Sequence, residues 1–166
     1  MFEKNSHCSY CGTAFLRGDG WPRTCGRCGN MTFLNPLPVA VVLVPADGGL
    51  VVIRRGVEPS RGALALPGGY INLGESWEEA GAREVLEETG IVVDPAGIRH
   101  FGVGNGSDGV IVIFGLAQPA SPGDIPPFKP NEESTERLII REAIDLAFPL
   151  HTEIAKLYFR RSGNLA

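Results

Sequence analysis

The chain has 166 residues, 43% of them hydrophobic and 20% charged, enough for one buried core and a small appendage. No run approaches the roughly 20 apolar residues of a membrane helix, and the opening "MFEKNSHCSYC" lacks the apolar centre of a signal peptide. The expected setting is therefore cytoplasmic with no membrane partner, and a net charge of −4 argues against a protein built chiefly to neutralise nucleic-acid phosphates.

That charge is unevenly spread. Residues 1–35 hold Lys4, Arg17, Arg23 and Arg27 against Glu3 and Asp19, a net +2, which leaves −6 on the remainder. A catalytic site is then expected in an acidic body suited to cations. All four cysteines fall in this basic segment, as Cys8 and Cys11 in "CSYC" and Cys25 and Cys28 in "CGRC". The spacing reads as a tetrathiolate Zn²⁺ ribbon, each pair on a tight turn that presents two sulfurs to one ion. Gly12 and Gly29 are expected to let the backbone approach the thiolates without a Cβ in the way. Two disulfides of a secreted module are the competing reading. A closed four-sulfur site has no open coordination position, so its metal is expected to hold a fold, with His7 a bystander.

"NPLP" (Asn35 to Pro38) interrupts regular structure and marks the boundary between a ribbon, 1–35, and a body, 36–166. "VAVVLVP" (Val39 to Pro45) and "LVVIRR" (Leu50 to Arg55) read as strands buried on both faces, joined as a hairpin by "ADGG". "EPSRGALALPGG" reads as a loop. "IRHFGVG" and "GVIVIFGLA" make a second strand pair around "NGSDG", and the proline-rich "QPASPGDIPPFKP" is expected on the surface. "STERLIIREAI" predicts a last strand running into a short helix. "HTEIAKLYFRR" places Ile154, Leu157 and Tyr158 on one face of a C-terminal helix. Interleaved strands and helices favour an α/β body.

Between the loop and the second strand pair, Ser76 as N-cap and Gly90 as C-cap bracket "WEEAGAREVLEET" as a helix, in which Gly81 costs about 1 kcal/mol against alanine. Glu84, Glu87 and Glu88, at i, i+3 and i+4, share one face and repel one another by a few tenths of a kcal/mol per pair. A solvated acidic face is one explanation. The other is that divalent cations relieve the repulsion, because the face follows the glycine-rich "LPGGYINLGE" and hard oxygen ligands suit Mg²⁺ or Mn²⁺.

From Gly69 the order is glycine, five residues, Glu75, seven residues and "REVLEETGI" (Arg83 to Ile91), which fills every fixed position of the Nudix box GX5EX7REUXEEXGU. With the cysteine ribbon, the chain resembles the zinc-ribbon branch of Nudix hydrolases, which includes NADH pyrophosphatases and FAD and ADP-ribose diphosphatases. The resemblance implies an α/β/α sandwich that hydrolyses a nucleoside diphosphate linked to another moiety. Glu84 and Glu88 would be the principal metal ligands, Glu87 would bind metal or assist a water, and Gly68 would lend its carbonyl. Glu75 and Arg83 would brace the loop against the helix. A further carboxylate commonly comes from outside the box, and "NEESTE" offers Glu133 and Glu136, between which the sequence does not choose. A homodimer is a further expectation of the resemblance.

The proline- and tryptophan-rich array of NADH-specific members is absent after the box, since both tryptophans, Trp21 and Trp77, come before its end. ADP-ribose- or FAD-type substrates are therefore placed first and NAD(H) second. A reading from another class is RNA binding or RNA-cap removal through Arg17, Arg23 and Arg27 near Trp21. A ribbon charge of only +2 favours instead a small packing module stapled by metal. His7, His100 and His151 are scattered and read as structural or surface residues.

Overall fold

A computed structural model describes residues 4–16, 18 and 20–163; Glu3, Arg17 and Asp19, counted above in the basic segment, lie outside the described residues. The chain divides into two compact units, Met1–Pro36 and Leu37–Ala166.

In the first unit two turns repeat one geometry. The N–H of Gly12 donates to the carbonyl of Cys8 and that of Gly29 to Cys25, both at 2.9 Å. A two-stranded ribbon, β1 (Arg23–Thr24) with β2 (Met31–Thr32), frames the second turn. Gly12 and Gly29 have φ of 70° and 72°. The space a Cβ would occupy is open at both, so glycine is needed for the left-handed backbone and not for the close approach to sulfur expected from sequence. Among the described residues of this unit only Cys8 and Cys25 are buried.

The second unit is a three-layer body. One sheet has the order β7 (Gly68–Tyr70), β3 (Leu37–Leu43), β9 (Val110–Leu116), β8 (Arg99–Asn105), with β3 and β9 parallel. The other runs β10 (Ser134–Ile140), β5 (Gly49–Arg55), β4 (Pro45–Ala46), with β6 (Leu64–Ala65) also on β5. Alternation along β3 and just beyond it sends Val41 and Leu43 into one core and Val42 and Val44 into the other. Helix α1 (Trp77–Thr89) covers the second core with Trp77 and Val85, and helix α2 (Pro149–Gly163) covers the first with Leu150, Ile154 and Ala155. β3 and β5 are thus buried on both faces, as their unbroken β-branched runs predict, in an α/β/α sandwich.

Three local expectations need correction. β3 does not form a hairpin with β5: both its edges are taken by β7 and β9, and only β4 and Val44 pair across the Asp47–Gly48 turn. The segment before the acidic helix is not all loop, because β6 and β7 form inside it where their glycines and alanine carry little strand propensity. No short helix continues β10 over residues 141–144. Its four-residue candidate is too short to nucleate one, and the chain is drawn aside by the Ala147 N–H bond to Leu64 at 2.7 Å.

Gly81 reverses its sequence reading. A Cβ there would stand 2.6 Å from Cγ2 of Val42, so α1 lies close on β3 because that position is bare. Overpacking at such a contact costs about 1–3 kcal/mol, which outweighs the helix propensity alanine would gain.

His151 is buried between Phe114 and Phe148, with ring centroids at 5.8 and 5.0 Å, and its Nδ1 accepts the Leu66 N–H at 3.2 Å. Burial, aided by the charge of Arg55, pushes its pKa down from 6.5 to about 3. Because the folded value lies below the unfolded one, this contribution to stability is whole above pH 6.5 and is lost as pH falls towards 3. Between pH 7 and pH 5 the loss is about 2 kcal/mol. His151→Gln keeps an acceptor and is expected to flatten that dependence in urea titrations at the two pH values; the same pH dependence in both proteins would count against it. No helix among the described residues is long and apolar enough to cross a membrane.

Candidate active site on the acidic helix

The box loop and helix are fixed by local chemistry. The Ser76 hydroxyl accepts the Glu79 N–H at 3.1 Å while the Glu79 carboxylate accepts the Ser76 N–H at 2.7 Å, a capping box. Gly90 closes the other end in the left-handed conformation, φ 75°. Between these caps the three glutamates part company. Glu84 and Glu88 are buried, 9% and 5% exposed, whereas Glu87 has 53% of its side chain in solvent.

The buried pair lies against the two glycines of β7. The Gly68 N–H donates to Glu88 Oε2 at 2.9 Å. A Cβ on Gly69 would stand 2.5 Å from the Glu84 carboxylate, so a side chain there would displace that carboxylate from its present position. Burial raises the pKa of Glu84 despite the adjacent Arg83, and burial pushes Glu88 up to about 8 against the opposing Gly68 bond. Neighbouring carboxylates add to both effects, Glu87 and the exposed Glu133 at Glu84, and Glu84 and Glu133 at Glu88.

Arg83 spans the loop and the helix. Its Nε and Nη2 meet both oxygens of Glu75 at 2.8 and 3.1 Å, Nη2 also donates to the Tyr70 carbonyl at 3.0 Å, and Nη1 donates to Glu84 Oε1 at 2.6 Å. This fork, with the Asn72 N–H, holds the Glu75 carboxyl down at about 2. Glu87 sits 3.5 Å from the same Nη1. The structure therefore groups Gly68, Glu75, Arg83, Glu84 and Glu88, leaves Glu87 at the rim, holds the Glu133 backbone beside the end of α1 through Asn131, and takes Glu136 elsewhere, into a 2.7 Å ion pair with Arg54.

Sequence reasoning missed Arg55, whose charge reaches Glu88, and two side chains at the C-terminal end of α1. Arg137 Nη1 donates to the Thr89 carbonyl at 2.5 Å, and Asn131 Nδ2 to the Glu87 carbonyl at 2.8 Å. Asn131 carries a turn-forming signal ahead of Glu133, but nothing local pairs it with α1.

In the ribbon unit, the four Sγ atoms lie within 4.8 Å of one another, with Cys8–Cys28 at 3.7 Å and Cys11–Cys25 at 3.6 Å. These are not disulfides, and they approach the edge of about 3.8 Å that four 2.3 Å Zn–S bonds at tetrahedral angles require. Among the described residues no other group of three or more His, Cys, Asp or Glu side chains comes this close. The same unit has a cavity of about 380 Å³ lined by Lys4, Phe15, Trp21 and Arg23, with the Arg23 guanidinium 4.5 Å from the Trp21 ring centroid.

A mixed α/β body with an acidic, capped helix laid over a pair of glycines is the class of structure defined here. The chain belongs to the Nudix family, since the family model described as NUDIX domain matches residues 34–160. It is 38% identical over 60 residues to an ADP-ribose pyrophosphatase of Methanocaldococcus jannaschii, covering 36% of this chain and 36% of that one. It is 32% identical over 102 residues to an NAD-capped RNA hydrolase NudC of Photobacterium profundum, covering 61% of this chain and 37% of that one. The match thus spans under two fifths of the length of these curated relatives. A crystal structure of a NUDIX hydrolase from Nitrosomonas europaea superposes with a TM-score of 0.75 at 24% identity, over 96% of this chain and 93% of the other, and shares its fold.

Proposed function

We propose that this protein is a metal-dependent hydrolase that cleaves the pyrophosphate of a nucleoside diphosphate joined to another moiety, of ADP-ribose or FAD type first and NAD(H) second. The observation that carries this reading is the burial of Glu84 and Glu88 against Gly68 and Gly69. Two carboxylates desolvated in one place are costly to ionise unless a cation joins them. Glu84, Glu88 and Glu133 would hold Mg²⁺ or Mn²⁺ with the Gly68 carbonyl, and Glu136, bound to Arg54, would not. When bound, such an ion neutralises phosphate charge and lowers the pKa of a water. Arg83 and Glu75 fix the loop over the helix, and Glu87, exposed at the rim, is placed to orient water. In the reaction the water oxygen bonds to one phosphorus, the anhydride P–O bond breaks, and two monophosphates leave. The four cysteines would hold a structural Zn²⁺.

The two curated relatives, an ADP-ribose pyrophosphatase and an NAD-capped RNA hydrolase by name, support the substrate class. The test is a panel of ADP-ribose, FAD, NADH, NAD⁺, diadenosine polyphosphates and NAD-capped RNA with Mg²⁺ or Mn²⁺, identifying products. AMP release from ADP-ribose or FAD ahead of the others is expected, and no metal-dependent release from any of them would refute the reading. The RNA alternative draws on the Arg23–Trp21 contact beside the ribbon cavity; preference for NAD-capped RNA, with salt-sensitive binding of the uncapped strand, would favour it.

A further inference from the structure

We propose that Asn131 is a positioning residue that ties the loop bearing Glu133 to the last turn of α1 and so sets the outer carboxylate of the metal site. The proposal rests on the metal-site reading above.

Four hydrogen bonds meet at this one exposed residue. Its Nδ2 donates to the Glu87 carbonyl at 2.8 Å, its Oδ1 accepts the N–H groups of Glu133 and Ser134 at 2.9 and 2.7 Å, and its own N–H donates to the Ser134 carbonyl at 2.9 Å. The last carbonyls of a helix lack partners within it. On α1 these are met by the Gly90 N–H, by Asn131 and by Arg137. Water or any donor could satisfy the Glu87 carbonyl, so capping alone does not explain Asn131. Its other end grips the N–H of Glu133 and so holds that residue beside the turn of α1 that carries Glu87 and Glu88.

The opposite side of Glu133 is tied as well. Its carbonyl accepts the Gly56 N–H at 2.7 Å, and a Cβ on Gly56 would stand 2.1 Å from the Glu132 carbonyl oxygen, so a bare strand end lets the loop lie this close. Both backbone polar groups of Glu133 are therefore fixed, one to the helix through Asn131 and one to the end of β5. An exposed carboxylate on a fixed backbone loses less entropy when it joins an ion than one on a free loop.

The test uses the zinc-loaded full chain and measures Mn²⁺ binding without substrate, by electron paramagnetic resonance, together with the melting temperature. Asn131→Ser is the main variant, since its hydroxyl can still serve the turn but cannot reach the Glu87 carbonyl; Asn131→Ala, Glu133→Gln and Asn131→Ser with Glu133→Gln complete the set. Each single change is expected to weaken Mn²⁺ binding about tenfold, with the double variant no weaker than Glu133→Gln alone. Affinity of Asn131→Ser within about twofold of the unaltered chain overturns the proposal, as do effects of Asn131→Ser and Glu133→Gln that multiply in full. A lowered melting temperature with unchanged affinity would reduce Asn131 to a helix cap. If the unaltered chain binds no Mn²⁺, the metal-site reading fails and takes this one with it; if it binds and Asn131→Ser binds equally, only the present proposal fails.

Discussion

Glu88→Gln is expected to lower metal-dependent hydrolysis roughly a thousandfold while leaving the melting temperature unchanged or slightly raised. The two halves of that expectation have one cause. Burial pushes the Glu88 carboxyl up to about 8, so without metal it is largely neutral at pH 7, and a glutamine of the same shape can still accept the Gly68 N–H. The fold loses little. An ion, however, binds the deprotonated carboxylate, and an amide oxygen offers no net charge to it; losing several kcal/mol of transition-state stabilisation corresponds to about three powers of ten in rate. Glu87→Gln at the exposed rim should cost far less, which makes the pair a graded test. Turnover of Glu88→Gln within a few-fold of the unaltered protein, on the substrate the panel selects, would remove Glu88 from the site.

Cys25→Ser should release zinc and unfold the ribbon unit, read by metal content and by new protease sensitivity within residues 4–36. Cys8 and Cys25 are the only buried residues described there, so the described residues supply no apolar core to fall back on. Apparent binding free energies of structural zinc are on the order of 10 kcal/mol or more, and in so small a unit that is nearly the whole of its stability. Chelation should act like the substitution. A ribbon that stays protease-resistant after its metal is stripped would contradict the reading of the cysteines as a staple.

What the sequence made visible was local. Ser76 and Gly90 bracket α1 because capping chemistry sits within a few residues of the helix ends, and the unbroken β-branched runs around Val41 and Val52 report burial on both faces. Features depending on partners far along the chain were hidden. Nothing near "LVVIRR" says that β3 already has two neighbours, and nothing near Gly81 shows Val42 against it. The same holds at the candidate site. The spacing of Glu84 and Glu88 marks the acidic face, but separating Glu133 from Glu136 needs the Arg54 ion pair and the Gly56 contact, both made across the body.

The parallel ladder between β3 and β9 bears on how this protein is made. Val41 sits opposite Phe114, far downstream, and β7, whose glycines shelter the two buried glutamates, hangs on the other edge of β3. Emerging from the ribosome, the chain exposes its complete motif well before the strand that braces it has been synthesised. Nascent fragments ending short of Val110 should therefore contain every residue of the box and yet have no grip on an ion, so competence arrives late in translation.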